Sequence, residues 1–159
     1  MKELKIIKAK PKYAEEISDV LKKSFIEFES KYTTKAFKDT TPNREKVLER
    51  LKEGPIWIVL LNEKIVGTVS VVPRKNGLYI RGMAVIPESR GLQIGWKLLE
   101  HINRYAVKNS FNRIFLSTTP FLKRAIRLYE NFGFIKSIEG PYDLYGTPIF
   151  TMHKYIKPD

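Results

Sequence analysis

The chain has 159 residues, 43% hydrophobic and 29% charged, a composition that suits one domain with one sizeable core. It lacks cysteine, any apolar stretch near the roughly 18 residues of a membrane span, and a secretory signal pattern at its N-terminus, so disulfides, thiolate metal sites and a cysteine nucleophile are excluded and a soluble cytoplasmic protein is expected. Its 29 Lys and Arg against 17 Asp and Glu give a formal charge of +12, a field that attracts phosphates, nucleic acid, anionic lipid or acidic proteins.

Residues 4–10 alternate around Ile6 and Ile7 and read as a short strand closed by Pro11. Residues 13–29 place Ala14, Ile17, Val20, Leu21, Phe25 and Phe28 at helical spacing. The polar, threonine-rich stretch 30–42 reads as a loop. Asn43 offers an N-cap for a helix carrying Val47, Leu48 and Leu51, stopped by Gly54-Pro55. The apolar run 56–61 turns at Asn62-Glu63-Lys64 and returns over 65–72, a hairpin pattern. A third strand covers 78–85 and stops at Pro87. Residues 90–108 form a second long helical pattern, with Ile94, Leu98, Ile102 and Tyr105 on one face. A short strand at 113–117 precedes Pro120, and a helix over about 121–132 ends at Gly133 in the C′ position. Two last strands, near Ile135 and over 149–155, flank a Gly- and Pro-containing loop. The order β-α-α-β-β-β-α-β-α-β-β predicts a single α/β domain over 1–159. Its sheet is mixed and mostly antiparallel, with six to seven strands and helices on both faces.

Residues 83–99 are the most informative. A strand ends, a turn follows, and a helix opens with Gly91 and Gly95. The first N–H groups of a helix lack internal partners and sit at its positive end, where a phosphate satisfies them. Glycine lets backbone approach such an anion, although helix packing alone also calls for it. The pattern Val85-x-Pro87-x-x-Arg90-Gly91-x-x-Ile94-Gly95-x-x-Leu98-Leu99 resembles motif A of the GNAT acyltransferases, written Q/R-x-x-G-x-G/A. Arg90 fills its first position and Gly95 its last; Gln93 replaces its first glycine. Ala125-x-x-Leu128-Tyr129-Glu130-x-x-Gly133-Phe134 is similar to the family's A-x-x-L-Y-E-x-x-G-F helix. Asn62-Glu63-Lys64-Ile65-Val66-Gly67 is similar to its D/N-G-x-x-V-G hairpin. The Asn that the family often carries three residues before the Ala is Leu122 here. The element order agrees with the family over nearly the whole chain.

The resemblance implies a GNAT-like fold, acetyl-CoA as co-substrate and an amine as acceptor. It implies that the strand ending at Met83, Ala84 and Val85 splays from its neighbour and pairs with the pantetheine arm like an added strand. It places Arg90, Gly91, Leu92, Gln93, Ile94, Gly95 and Trp96 at the pyrophosphate, and a backbone N–H near Met83 at the oxyanion. Tyr129 takes the place of the general acid that meets the leaving thiolate. Glu27, Glu29 and Asp143 are substrate-side candidates because their segments border the family's acceptor site, as does the loop 140–148. The family often carries Glu just before Met83, but residues 78–82 hold no carboxylate, so the base stays open and water is an alternative. His101 and His153 lack ligand spacing, so no metal is expected; His101 reads as a solvated helix residue, and Trp57 and Trp96 as packing.

The leading expectation is an acetyltransferase acting on a small-molecule or protein amine: a small polyamine-like or amino-acid metabolite, an antibiotic, a protein N-terminus or a lysine. A positive enzyme disfavours polyamines at long range. Two alternatives stand beside it. One is a basic nucleic-acid- or ribosome-associated module, which explains +12 directly, although no helix-turn-helix, zinc-finger or RNP pattern is present and the charge forms no five-residue basic block. The other is an acyl-CoA-binding protein without catalysis, suggested by Gln93 and the missing strand carboxylate. Acetyl versus longer acyl donors, and a homodimer versus a monomer, stay open.

Overall fold

Alternating and continuous apolar runs in the middle of the chain build a sheet, and amphipathic helices cover it. The computed structural model describes residues 3–157. In chain order the elements are β1 (Leu4–Lys8), α1 (Ala14–Phe25), α2 (Thr34–Thr40), α3 (Arg44–Glu53), β2 (Ile56–Leu61), β3 (Lys64–Arg74) and β4 (Gly77–Val85), then α4 (Ile94–Lys108), β5 (Arg113–Thr118), α5 (Lys123–Phe132), β6 (Ile135–Lys136), β7 (Tyr142–Leu144) and β8 (Thr147–Tyr155). The sheet order is β1-β2-β3-β4-β5-β8-β6, with β7 paired to β8 alone. Among the described residues only β4 and β5 run parallel, joined by the α4 crossover. At the β2–β3 turn, Asn62 and Glu63 both take positive φ, 50° and 70°, as a two-residue type I′ hairpin requires.

Helices cover both faces. A side chain on Gly82 would point at Leu21 of α1, whereas one on Gly67 would point at Ile94 of α4. Thus α1, with α3 against it, packs on one side of β3 and β4, and α4, with α5 against it, packs on the other. Leu78, Ile80, Leu98, Leu99, Ile102 and Ile114 are buried between sheet and helices. Each such side chain contributes about 1.5–3 kcal/mol by leaving water. Among the described residues, no helix is long and apolar enough to cross a membrane.

Several boundaries differ from the sequence expectation, each for a physical reason. The stretch 30–42 contains α2 instead of being loop throughout. Thr33 caps it by accepting from the Ala36 N–H at 3.2 Å, and the Thr40 and Thr41 hydroxyls donate to the Ala36 and Phe37 carbonyls. Its threonines therefore satisfy helix backbone, and buried Ala36 and Phe37 anchor it. The α1 pattern tightens into 3₁₀ turns over Ile26–Lys31. The second long helix starts at Ile94, not Arg90, because Gly91 and Gln93 adopt left-handed backbone, at φ 89° and 59°. The sheet has eight strands, one more than expected; β7 arises inside the loop 140–148. His101 is not simply solvated: its ring meets Trp57 edge-on at 4.8 Å. Asn43 caps α3 and Gly133 ends α5 in left-handed backbone, as expected.

Arg113 of β5 is buried yet charged. Its Nε donates to His153 Nδ1 at 2.8 Å, Nη1 donates to the Asn76 carbonyl at 3.1 Å, and Nη2 pairs with Glu139. His153 must be neutral to accept that bond. Burial first, then the Arg113 charge, hold its pKa below the usual value, with Glu139 offsetting in part. His101 is shifted the same way by burial and Arg104. A lowered histidine pKa means the unfolded chain binds more protons below about pH 6.5. This stability is complete above that pH and is lost as pH falls through the folded-state values. Urea unfolding is expected to show a lower free energy at pH 5.5 than at 7.5. His153→Gln, whose amide oxygen can still accept from Arg113, is expected to flatten that slope. An unchanged slope would exclude His153 as a source.

Candidate active site

The central feature is a cleft where β4 and β5 part. Their ladder runs only from Leu78–Ile114 to Ile80–Leu116, while β4 continues to Val85 and β5 to Thr118. The cause lies on the other edge of β4. Against β3 the register passes from Ser70–Arg81 to Thr68–Ala84, so Gly82 and Met83 face Val69 alone. This is a bulge, and Gly82 takes φ 59° within it. A bulge bends its strand, so the last residues of β4 leave β5 and expose unpaired backbone. A glycine inside a strand pattern is the sequence signal for such a feature; Gly82 carried it unread. On the facing wall, the buried Thr118 and Thr119 hydroxyls have no hydrogen-bond partner among the described residues. The cleft encloses about 1090 Å³.

The α4 N-terminus opens into this cleft. Helices α2 and α3 carry side-chain caps, but α4 has none. Gln93, Ile94, Gly95 and Trp96 line the space, with Gly91 and Arg90 just before them. Gln93 occupies the motif's first glycine position in left-handed backbone, φ 59° and ψ 25°. That conformation disfavours a non-glycine residue by roughly 1–2 kcal/mol, which accounts for the family's glycine there and for strain here. Gly95 has a packing reason: an added Cβ would lie 2.8 Å from Leu128 Cδ2. Its lack of a side chain leaves room for Leu128 of α5 against α4. Trp96 packs edge-on against Phe132 at 4.8 Å. Leu92 packs against the core and does not line the cleft. The Ile94 side chain is buried, leaving its backbone to the site.

Tyr129 lines the cleft although only 8% exposed. Burial first, and the Tyr32 phenol second, push its pKa up to about 12. It is therefore a protonated donor at neutral pH and not a base. Burial also raises the Tyr32 phenol. Tyr32 belongs to an aromatic wall with Phe28, Phe37 and Phe121, which the sequence reading did not assemble.

Of the three candidate carboxylates, only Glu27 reaches the cleft. It pairs with Arg90 Nη1 at 2.7 Å, while Arg90 Nη2 donates to the Ser24 carbonyl at 3.3 Å. Two residues expected in separate roles thus meet as an ion pair, and the Arg90 side chain is turned toward the segment after α1. Glu29 is exposed outside the cleft. Asp143 is spent on the β7–β8 turn, accepting from the Gly146 N–H at 2.8 Å. Asp39, not expected from sequence, also lines the space. Seven cations line the cleft against these two carboxylates: Arg50, Arg74, Arg81, Arg90, Lys123, Arg124 and Arg127. Arg124 and Arg127 flank Leu128, and hence the α4 N-terminus. No cluster of three or more His, Asp or Glu among the described residues is placed to hold a metal.

Known proteins share this architecture. An acetyltransferase of the GNAT family from Staphylococcus aureus Mu50 aligns with a TM-score of 0.81 at 23% identity, over 98% of this chain and 100% of that one. The PaiA N-acetyltransferase from Thermoplasma acidophilum, solved in complex with coenzyme A, aligns with a TM-score of 0.80 at 16% identity, over 96% and 99%. In sequence, the probable N-acetyltransferase camello of Xenopus tropicalis is 33% identical over 84 residues, which is 51% of this chain and 38% of that relative. The chain thus spans well under half the length of that relative. The model of the acetyltransferase (GNAT) family matches residues 14–134, from the start of α1 to Phe134, one residue past the glycine that ends α5, and the chain belongs to that family.

Proposed function

We propose that the chain transfers an acetyl group from acetyl-CoA to a primary amine by direct attack, in the cytoplasm and as one catalytic domain. The observation that carries this reading is the parting of β4 from β5 beside an uncapped helix N-terminus, with Tyr129 on the wall. The free backbone of Met83, Ala84 and Val85 suits strand-like pairing with the amide-rich pantetheine arm. The N–H groups of residues 91–96 suit the pyrophosphate, with Lys123, Arg124 and Arg127 adding positive charge. Arg90 would contribute backbone there, since its guanidinium is held by Glu27.

In the reaction, the neutral amine attacks the thioester carbonyl carbon, and the bulge N–H near Met83 receives the negative charge on oxygen. The C–S bond then breaks. The Tyr129 hydroxyl donates to the departing sulfur, and the proton lost by the amine restores the balance through water. Glu27 is the one expected carboxylate near enough to help through such a water, if it leaves Arg90.

Acetyl-CoA at ten times its Kd is expected to stabilise the fold by about 1.4 kcal/mol, or roughly 3–5 °C in Tm for a domain of this size. Polynucleotide at matched charge is expected to give no shift. A well-folded sample that ignores millimolar acetyl-CoA, or that polynucleotide alone stabilises, would reverse the assignment.

A further inference from the structure

Three arginines line the part of the cleft built by α3, β3 and β4. Arg74 lies over the Tyr79 ring at 4.2 Å. Arg50 presses against the bulge: a Cβ on Gly82 would lie 3.2 Å from its Nη1. Its Nη2 donates to the Asp39 backbone carbonyl at 2.9 Å, not to a carboxylate. Arg81 gives one edge to Glu53, at 2.8 Å, while its Nε is buried with no partner among the described residues. Burial first and the Arg81 charge second disfavour the cationic form of Arg50. Two half-buried guanidinium groups therefore sit together beside the bulge; among the described residues Glu53 is the only carboxylate bonded to either, and the Asp39 charge offsets their repulsion only in part. Such a cluster does not serve stability. Like charges held together with an unused donor form a receptor for an anion, and the planar guanidinium fork matches a carboxylate.

We infer that the acceptor carries a carboxylate close to its reacting amine, as an α- or β-amino acid does, and that Arg50 and Arg81 receive it. This rests on the acetyl-transfer reading and adds the acceptor's chemical class. The short span follows from the position of the cluster, against the same bulge where the thioester carbonyl would be polarised. A carboxylate seated there leaves its amine only a few bonds to reach the carbonyl carbon. Lysine side chains within proteins, and polyamines, lack that anion and meet a cleft lined by seven cations against two carboxylates.

The test is thiol release from acetyl-CoA by the full chain, with free amino acids, their carboxamides, aminoalkyl phosphonates, alkylamines and polyamines as acceptors. The best amino acid is expected to exceed its own carboxamide by roughly 10- to 100-fold in kcat/KM, the value of one charge-assisted pair. Arg81→Gln and Arg50→Gln are each expected to pull that acid-to-amide ratio toward one, chiefly through KM. Arg81→Lys keeps the charge and loses the fork, and is expected to fall between. If one variant fails to fold, the ratio in the other decides. Equal use of acid and amide, preference for the phosphonate, or transfer to no amino acid while acetyl-CoA still raises Tm, would overturn the acceptor class and leave the donor site standing. Neither a Tm shift nor thiol release with any amine would instead remove the acetyl-transfer reading itself.

Discussion

Tyr129→Phe is expected to keep acetyl-CoA affinity and folding while slowing transfer by about 10²-fold, the low end of general-acid contributions. The ring stays in place against Phe134, 5.8 Å away between centroids, so packing changes little. Only the hydroxyl is lost. The low end follows from acidity: a phenol pushed up to about 12 is a weaker acid than an ordinary thiol near 8.5, so full transfer to the departing thiolate is uphill. In the proposed mechanism its help is a hydrogen bond to sulfur as negative charge develops. The effect should therefore fall on kcat with a good acceptor, in single-turnover measurements of the chemical step. Unchanged single-turnover rates would leave water as the donor. Loss of folding would mark Tyr129 as a packing residue only.

The order of elements was legible because apolar periodicity switches cleanly between strand and helix along the chain. Caps at Asn43 and Gly133 were legible because those residue types have one strong local reason to be there. What escaped was set by tertiary context. The threonines at 33, 40 and 41 look like loop residues, yet their hydroxyls bond the backbone of α2. Gln93 gave no sign that it would hold left-handed backbone, except that a motif glycine belongs there. Gly95 in the motif points toward phosphate, yet Leu128 comes so close that an added Cβ would also force that side chain to move. Asp143 and Glu29 share a segment with the acceptor side and nothing more, because proximity in sequence does not aim a side chain. Arg50 and Arg81 lie 31 positions apart on different elements, so no local pattern could have joined them.

Gln93→Glu separates folding from donor binding, because the same charge should act on the two in opposite directions. Gln93 is the exposed N-cap residue of α4, and Glu is nearly isosteric with it. A carboxylate at a helix N-terminus stabilises by about 0.3–1 kcal/mol through the positive end of the helix. The free variant is therefore expected to melt at the wild-type temperature or slightly above. In the proposed site, acetyl-CoA brings its pyrophosphate to the same N–H groups. A like charge about 6 Å from a doubly charged group, at an effective dielectric near 40, opposes binding by about 2–3 kcal/mol. The expected result is roughly 30- to 150-fold weaker affinity, with the deficit shrinking as salt screens it. Gln93→Gly is the partner experiment. It relieves the left-handed strain and adds no charge, so it should bind acetyl-CoA at least as well as the wild type. Titration calorimetry across a salt series measures both variants. If Gln93→Glu binds within twofold of the wild type, the pyrophosphate does not lie at the α4 N-terminus, and the seven cations of the cleft must be read without it.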